Sequence, residues 1–235
     1  MMTPEQKQDN WLRRKIGVIS ASEVHLLMSK SGRWTKENLS FLYKIQRQRF
    51  LNEPSPQIKA RNFELGHEHE PYAVKWLERN YGWSIQYASD MEEIPFIINE
   101  YGLGASPDAY RIDTPEREII EIKTVIGATE LNWLFSPTVP FDKKRVHVYD
   151  LHRDQMAGLL CTHPDVKTVY LVKYDPQLDD NDFDLRDAFD KNRGLVFTFT
   201  RDEMGSYLET LEKRVKEAEA GLSSGEDLEE YFKNL

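Results

Sequence analysis

The hydrophobic pattern predicts an α/β (α+β) fold, a central mixed sheet flanked by helices. Strand-length runs rich in β-branched residues, Glu118–Lys123, Val166–Tyr174 and Leu195–Thr200, are separated by longer stretches of helical period. At 235 residues the chain can bury a sizeable core. Neither an internal repeat nor a linker divides it. It reads as one domain over residues 1–235, with 1–10 and about 223–235 as peripheral tails.

Taken in order, residues 1–10 are polar and predict loose structure. In the segment WLRRKIGVISASEVHLLM, Gly17 is a break, and Ser20 with Glu23 fits a capping box before a helix carrying Val24, Leu27 and Met28. Ser22 would then sit in the first turn, where unpaired backbone N–H groups welcome an anion. Arg13, Arg14 and Lys15 lie just upstream, so this segment is either a phosphate pocket or a basic surface loop.

Residues 36–51 predict an amphipathic helix with Leu39, Leu42, Tyr43 and Phe50 on one side. In the next helical stretch Gly66, Glu70, Val74, Leu77 and Tyr81 share a face, which makes Glu70 a carboxylate on an apolar stripe. Burying it unpaired costs several kcal/mol, so it needs a cation or strong donors. Pro71 predicts a kink or a helix start there. His67 and His69 lack a third histidine at ligand spacing and read as surface residues, or as neighbours of a site outside its ligand set.

Trp83–Tyr87 and Ile94–Ile98 read as strands, and Tyr101–Tyr110 as a strand pairing with Glu118–Lys123 across a turn at Asp113, Thr114 and Pro115. Residues 127–135 predict a short helix, followed by a Pro-containing loop with Lys143, Lys144 and Arg145. A helix over Val146–Cys161 has Val148, Leu151, Gln155 and Leu159 near one face, Gln155 being the polar intruder. An acidic loop (Asp179–Asp184) separates the last two strands. Thr200 and Glu203 fit a capping box before a helix with Met204, Leu208, Leu211, Val215 and Leu222, ended by Gly221 and Ser223-Ser224-Gly225.

The chemistry concentrates in GASPDAYRIDTPEREIIEIK, residues 104–123. Side chains alternate along a strand, so Glu121 and Lys123 share a face while Ile122 points to the core. The hairpin would bring Asp108 beside Glu121. Two such carboxylates repel unless a cation lies between them. Oxygen ligands suit Mg²⁺, and a lysine beside it can orient or deprotonate a water or stabilise charge on a phosphate oxygen. Asp, a dozen residues, then Glu-x-Lys is the PD-(D/E)xK pattern; a surface strand with an ion pair is the alternative.

A net charge of −9 argues against a general nucleic-acid coat protein but not against a nuclease with a local basic channel. No apolar run approaches the ~18 residues of a membrane span. With the single Cys161 and no signal-peptide core at the start, the chain reads as cytosolic, and a four-cysteine zinc or iron–sulfur site is excluded.

Together these motifs resemble the phage lambda exonuclease and YqaJ-type viral recombinase family. The set, in order, is Trp11 with Gly17–His25, Gly66-x-x-x-Glu70, Ser106-Pro107-Asp108, Glu121-Ile122-Lys123, Gln155 and Tyr174-Asp175-Pro176. The resemblance implies a restriction-endonuclease-like PD-(D/E)xK fold and a Mg²⁺-dependent 5′→3′ exonuclease acting on double-stranded DNA ends. It implies two Mg²⁺ ions, with Mn²⁺ a possible substitute, on Glu70, Asp108, Glu121 and the Ile122 carbonyl. Lys123 would be the catalytic lysine, helped by Gln155.

The family's 5′-phosphate pocket would fall on Lys15, Ser22 and Ser106. Lys15 stands where the family carries arginine, so Arg13 or Arg14 is a further candidate. Ala157 replaces a second glutamine, and Thr129 stands near the place of a basic residue. The resemblance also implies a homotrimeric ring, a single-strand annealing protein as partner, and action in the cytosol of a bacterial host. The alternatives are an endonuclease of the same fold or an inactive DNA-end-binding module. Retention of every acidic position and the lysine argues against the inactive module.

Overall fold

Two strand systems meet at Ser106-Pro107-Asp108. The computed structural model describes residues 2–29, 31–54, 61–176 and 191–233. A three-stranded sheet has the order β1 (Ile19–Ser20), β4 (Leu103–Ala105), β3 (Ile97–Ile98); a five-stranded sheet runs β2 (Ile85–Tyr87), β5 (Ala109–Arg111), β6 (Glu118–Thr124), β7 (Thr168–Tyr174), β8 (Gly194–Thr200). The larger sheet is mixed: β6 and β7 are parallel, and the other neighbours antiparallel. The parallel pair requires a crossover, which α4 (Ala128–Leu134) and α5 (Phe141–Thr162) supply.

The expected strand over 101–110 is thus two short strands in different sheets. Pro107 has no N–H to give a ladder, and the chain leaves one sheet and joins the other around it. Only β5 pairs with β6, with Ala109 opposite Ile120.

Helices cover the sheets. α2 (Lys36–Leu51), α5, α6 (Arg201–Ser224) and α7 (Leu228–Lys233) close one core around Leu42, Leu103, Ile119, Leu171 and Leu211. α3 (Arg61–Tyr81) closes a second around Trp76, Leu77, Ile120, Ile122 and Val172. Adjacent residues of β6 therefore face different layers, as a strand's two-residue period requires.

Several boundaries differ from the sequence reading for local reasons. Residues 4–14 form α1 rather than loose chain, because Thr3 and Gln6 make a reciprocal capping box and Pro4 stands at the first helical position. On α2 the buried face is Asn38, Phe41, Leu42, Ile45 and Gln48, while Phe50 is 86% exposed. Tyr81 is also exposed, leaning on Trp76 and Trp83.

α3 runs through Pro71, and α5 starts at Phe141, so Lys143, Lys144 and Arg145 lie on a helix rather than a loop. Lys144 is buried and donates to the Ser136 carbonyl at 3.0 Å. Leu151 faces outward. Thr200 does cap α6, accepting from Glu203 N, whose side chain binds Arg145. α6 passes Gly221 and ends at Gly225, whose φ of 75° is the left-handed conformation that favours glycine. The acidic run 179–184 lies outside the described residues.

Gly158 sets how closely α5 approaches Ala21, the residue after β1. A Cβ there would meet Ala21 Cβ at 2.7 Å and Ala21 Cα at 2.9 Å. In an open helix Gly→Ala gains roughly 0.5–1 kcal/mol. Here Gly158→Ala is expected to lose stability, about 1–3 kcal/mol for overpacking, read as a lower denaturant midpoint. A rise in midpoint would contradict this packing.

Candidate active site

Glu121 is the centre of the site. It lies on β6, 3% exposed, and its Oε1 accepts from Lys123 Nζ at 2.6 Å and Gln155 Nε2 at 2.5 Å. Its Oε2 is buried and has no hydrogen-bond partner. The expected shared face of Glu121 and Lys123 is therefore present, and Ile122 packs inward against the second core. Asp108, at the entry to β5, accepts from Ile122 N at 2.7 Å through Oδ2. Glu70 enters from α3; its Oε2 accepts from the Tyr87 hydroxyl at 2.9 Å, and its Oε1 is 3.0 Å from His67 Nδ1.

Glu70, Asp108, Glu121, Lys123 and Gln155 line one cavity of about 280 Å³, together with Lys15, Ser22, Ser106 and Trp11. Burial first, then the charges of Glu121 and Glu70, pushes the Asp108 pKa well above the usual carboxylate range. Burial pulls Lys123 towards the neutral amine, but Glu121, Asp108 and Glu70 together outweigh it and keep it charged. Three carboxylates thus crowd on the Lys123 ammonium, with Lys15 on the same cavity.

Among the described residues no three His, Cys, Asp or Glu side chains, as they stand, are gathered to hold a metal ion. Each carboxylate is turned onto a protein donor instead. The donor set nevertheless fits a hard divalent cation. It offers three carboxylates on one cavity, an orphaned buried oxygen on Glu121, and an Asp108 whose ionised form is disfavoured by burial and by Glu121 and Glu70 more than Lys123 favours it.

The N-terminal residues divide into two groups. Lys15 Nζ lies 4.2 Å over the Trp11 ring, and Trp11 Nε1 donates to Ser106 Oγ at 3.0 Å. Burial lowers the Lys15 pKa, with Glu23 pulling it back up. Ser22 is exposed, its Oγ 3.1 Å from Ser20 Oγ. Arg13 and Arg14 do not join them: Arg13 pairs with Asp9, and Arg14 donates to the Phe96 carbonyl and lies near Glu93.

The expected helix start at Ser20 is corrected as well. Ser20 belongs to β1, only a 3-10 turn (Val24–Leu26) follows, and Glu23 makes no cap bond. Glu23 instead accepts from Ser20 Oγ at 2.8 Å and Lys44 Nζ at 2.7 Å; these partners hold it below the usual carboxylate range despite its burial.

Sequence reasoning missed Tyr87, Lys44 and Lys173. Tyr87 ends a short strand whose alternation says nothing of a carboxylate on a distant helix. Lys44 sits on an ordinary polar helix face. Lys173 is the register partner of Lys123, is 4% exposed, and binds Glu130 of α4 at 2.9 Å. Its place in the run VKTVYLVKY marks it as inward-facing only once the strand's neighbours are known. His152, half-buried near Lys173 and Lys123, has its pKa pushed down to about 3, chiefly by burial, and stays neutral.

The model of the YqaJ-like viral recombinase domain matches residues 10–141, a span that holds Lys15, Glu70, Asp108, Glu121 and Lys123. No curated protein sequence matches the chain. Among solved structures, the chain is similar to an alkaline exonuclease (LHK-Exo) from Laribacter hongkongensis, with 20% identity, 96% of each chain covered and a TM-score of 0.62. The same enzyme in complex with dAMP gives 19% identity, 96% and 97% coverage and a TM-score of 0.64. A phage related exonuclease from Haemophilus somnus gives 16%, 88% and 95%, and 0.61. The chain shares the fold of these solved structures, and it belongs to the YqaJ-like viral recombinase domain family.

Proposed function

We propose that the protein is a Mg²⁺-dependent 5′→3′ exonuclease that digests one strand of double-stranded DNA from its ends and leaves 3′ overhangs. The observation that carries this reading is the convergence of Glu70, Asp108, Glu121 and Lys123 on one cavity. Two Mg²⁺ ions, or Mn²⁺ in their place, would be held by Glu70, Asp108, Glu121 and the Ile122 carbonyl, supplying Lewis-acid stabilisation of charge on the phosphoryl group and activation of water. Lys123, on the same strand face as Glu121, holds its proton at Nζ and places positive charge beside the attacked phosphate. Gln155 fixes Glu121 through its amide N–H. Digestion of linear and closed circular duplexes, each with Mg²⁺ or with EDTA, tests the reading. Mg²⁺-dependent loss of the linear DNA alone is expected; cutting of the circle would identify an endonuclease.

The 5′-phosphate falls to Lys15, Ser22 and Ser106, which share the cavity, while Arg13 and Arg14 are engaged elsewhere. A charge-assisted contact is worth roughly 1.5–3 kcal/mol, about ten- to a hundredfold in rate. Lys15→Ala is therefore expected to slow digestion of 5′-phosphorylated ends by that factor and 5′-hydroxyl ends far less. Lys15→Arg keeps a charge that can reach phosphate. Equal slowing of both ends would assign Lys15 to general DNA attraction.

The same reading makes the protein a homotrimeric ring in a bacterial host's cytosol, working with a single-strand annealing protein on the overhang. Among the described residues no helix is long and apolar enough to cross a membrane. A closed three-fold ring turns one head-to-tail interface into a clamp around DNA. Light scattering that gave only the 27.6 kDa monomer at micromolar concentration would contradict the ring.

A further inference from the structure

We infer that Tyr87 and His67 act as a clamp that positions Glu70, each holding one carboxylate oxygen so that the group stays turned to the cavity it shares with Asp108 and Glu121. The inference rests on the ion-site reading above and deepens it. Glu70 is only 8% exposed and sits on a different element from the other two carboxylates. Its placement therefore depends on contacts across α3 and the sheet.

His67 lies one helical turn before Glu70 and meets Oε1 at 3.0 Å; residues three apart are neighbours on a helix face. Tyr87 comes from outside the helix and donates to Oε2 at 2.9 Å. The strand that carries Tyr87 also fixes Asp108. Tyr87 is the register partner of Ala109, and Ala88 N donates to the Asp108 carbonyl at 2.9 Å. Two consecutive residues at the end of one short strand thus set Glu70 through a side chain and Asp108 through the backbone. An unclamped glutamate keeps three rotatable bonds, and those must be frozen each time an ion is bound. Partners that orient a metal-binding carboxylate typically matter by 10–100-fold in metal affinity.

The test uses the full chain and measures Mn²⁺ binding by the electron-spin-resonance signal of unbound Mn²⁺, beside the Mn²⁺ dependence of cleavage. Tyr87→Phe removes only a hydroxyl, and His67→Ala removes the other donor. Each is expected to weaken Mn²⁺ binding by about 10–100-fold. The Mn²⁺ concentration for half-maximal cleavage should rise by a larger factor than the rate at saturating Mn²⁺ falls. His67→Gln, which keeps an N–H donor, should recover most of the affinity lost in His67→Ala, a rescue that a purely structural role would not produce.

If Tyr87→Phe fails to fold, the histidine pair decides alone. Wild-type affinity in the folded variants overturns the clamp and leaves the ion site standing. A wild-type protein that takes up no Mn²⁺ overturns the ion site, and the clamp with it.

Discussion

Glu121→Gln is expected to reduce DNA cleavage by at least about a thousandfold, because the charge stabilisation at stake is several kcal/mol and each ~1.36 kcal/mol is tenfold. Glutamine keeps the volume, and its amide oxygen can still accept from Lys123, so the packing around β6 has no reason to change. What is lost is the negative charge at the centre of the site, where one carboxylate oxygen already lacks a partner. Removing one of several clustered like charges need not destabilise the fold. Release of acid-soluble nucleotides from linear duplex measures the loss, and a thermal melt confirms folding. Near-normal Mg²⁺-dependent activity in this variant would mean the centre is misplaced.

Asp108→Asn is expected to abolish cleavage and, in EDTA at neutral pH, to raise stability. Burial and the neighbouring Glu121 and Glu70 push the folded-state pKa of Asp108 well above its unfolded value. The folded state then binds the proton more tightly, so ionisation costs stability as pH rises through the raised pKa. Below the unfolded value, about 3.9, the carboxyl is neutral in both states and the cost vanishes. Asparagine carries no such cost, and its Oδ1 can still accept from Ile122 N. The gain in melting temperature should therefore be absent in acid and grow towards neutral pH, and Mg²⁺ should shrink it by stabilising the wild type. A gain that is largest in acid would reverse the electrostatic account.

Most of this was legible in the sequence where a short-range rule decides it. Strand alternation places Glu121 and Lys123 together and Ile122 in the core, and the structure has that arrangement. The helical spacing that singled out Glu70 as a buried carboxylate holds across Pro71. Helical spacing makes Gln155 only a polar intruder on its face, and the family resemblance alone turns it towards the site; its amide meets Glu121.

What failed is what depends on partners distant in the chain. Nothing local says that residues 101–110 split between two sheets, that Ser20 pairs in β1 opposite Gly104 rather than opening a helix, or that Arg14 turns to Phe96. The same holds for Tyr87, whose hydroxyl finds Glu70 only after β2 has docked on β5.

The most direct test of the central claim is strand-resolved digestion of a linear duplex carrying one label near a 5′-phosphate end and another near the 3′ end of the same strand. A metal centre built on Glu70, Asp108 and Glu121 beside a 5′-phosphate pocket at Lys15 predicts that with Mg²⁺ the 5′ label is released first as mononucleotide and the 3′ label last. It predicts no release in EDTA. Release of the 3′ label first, or equal release without a divalent ion, would contradict the account.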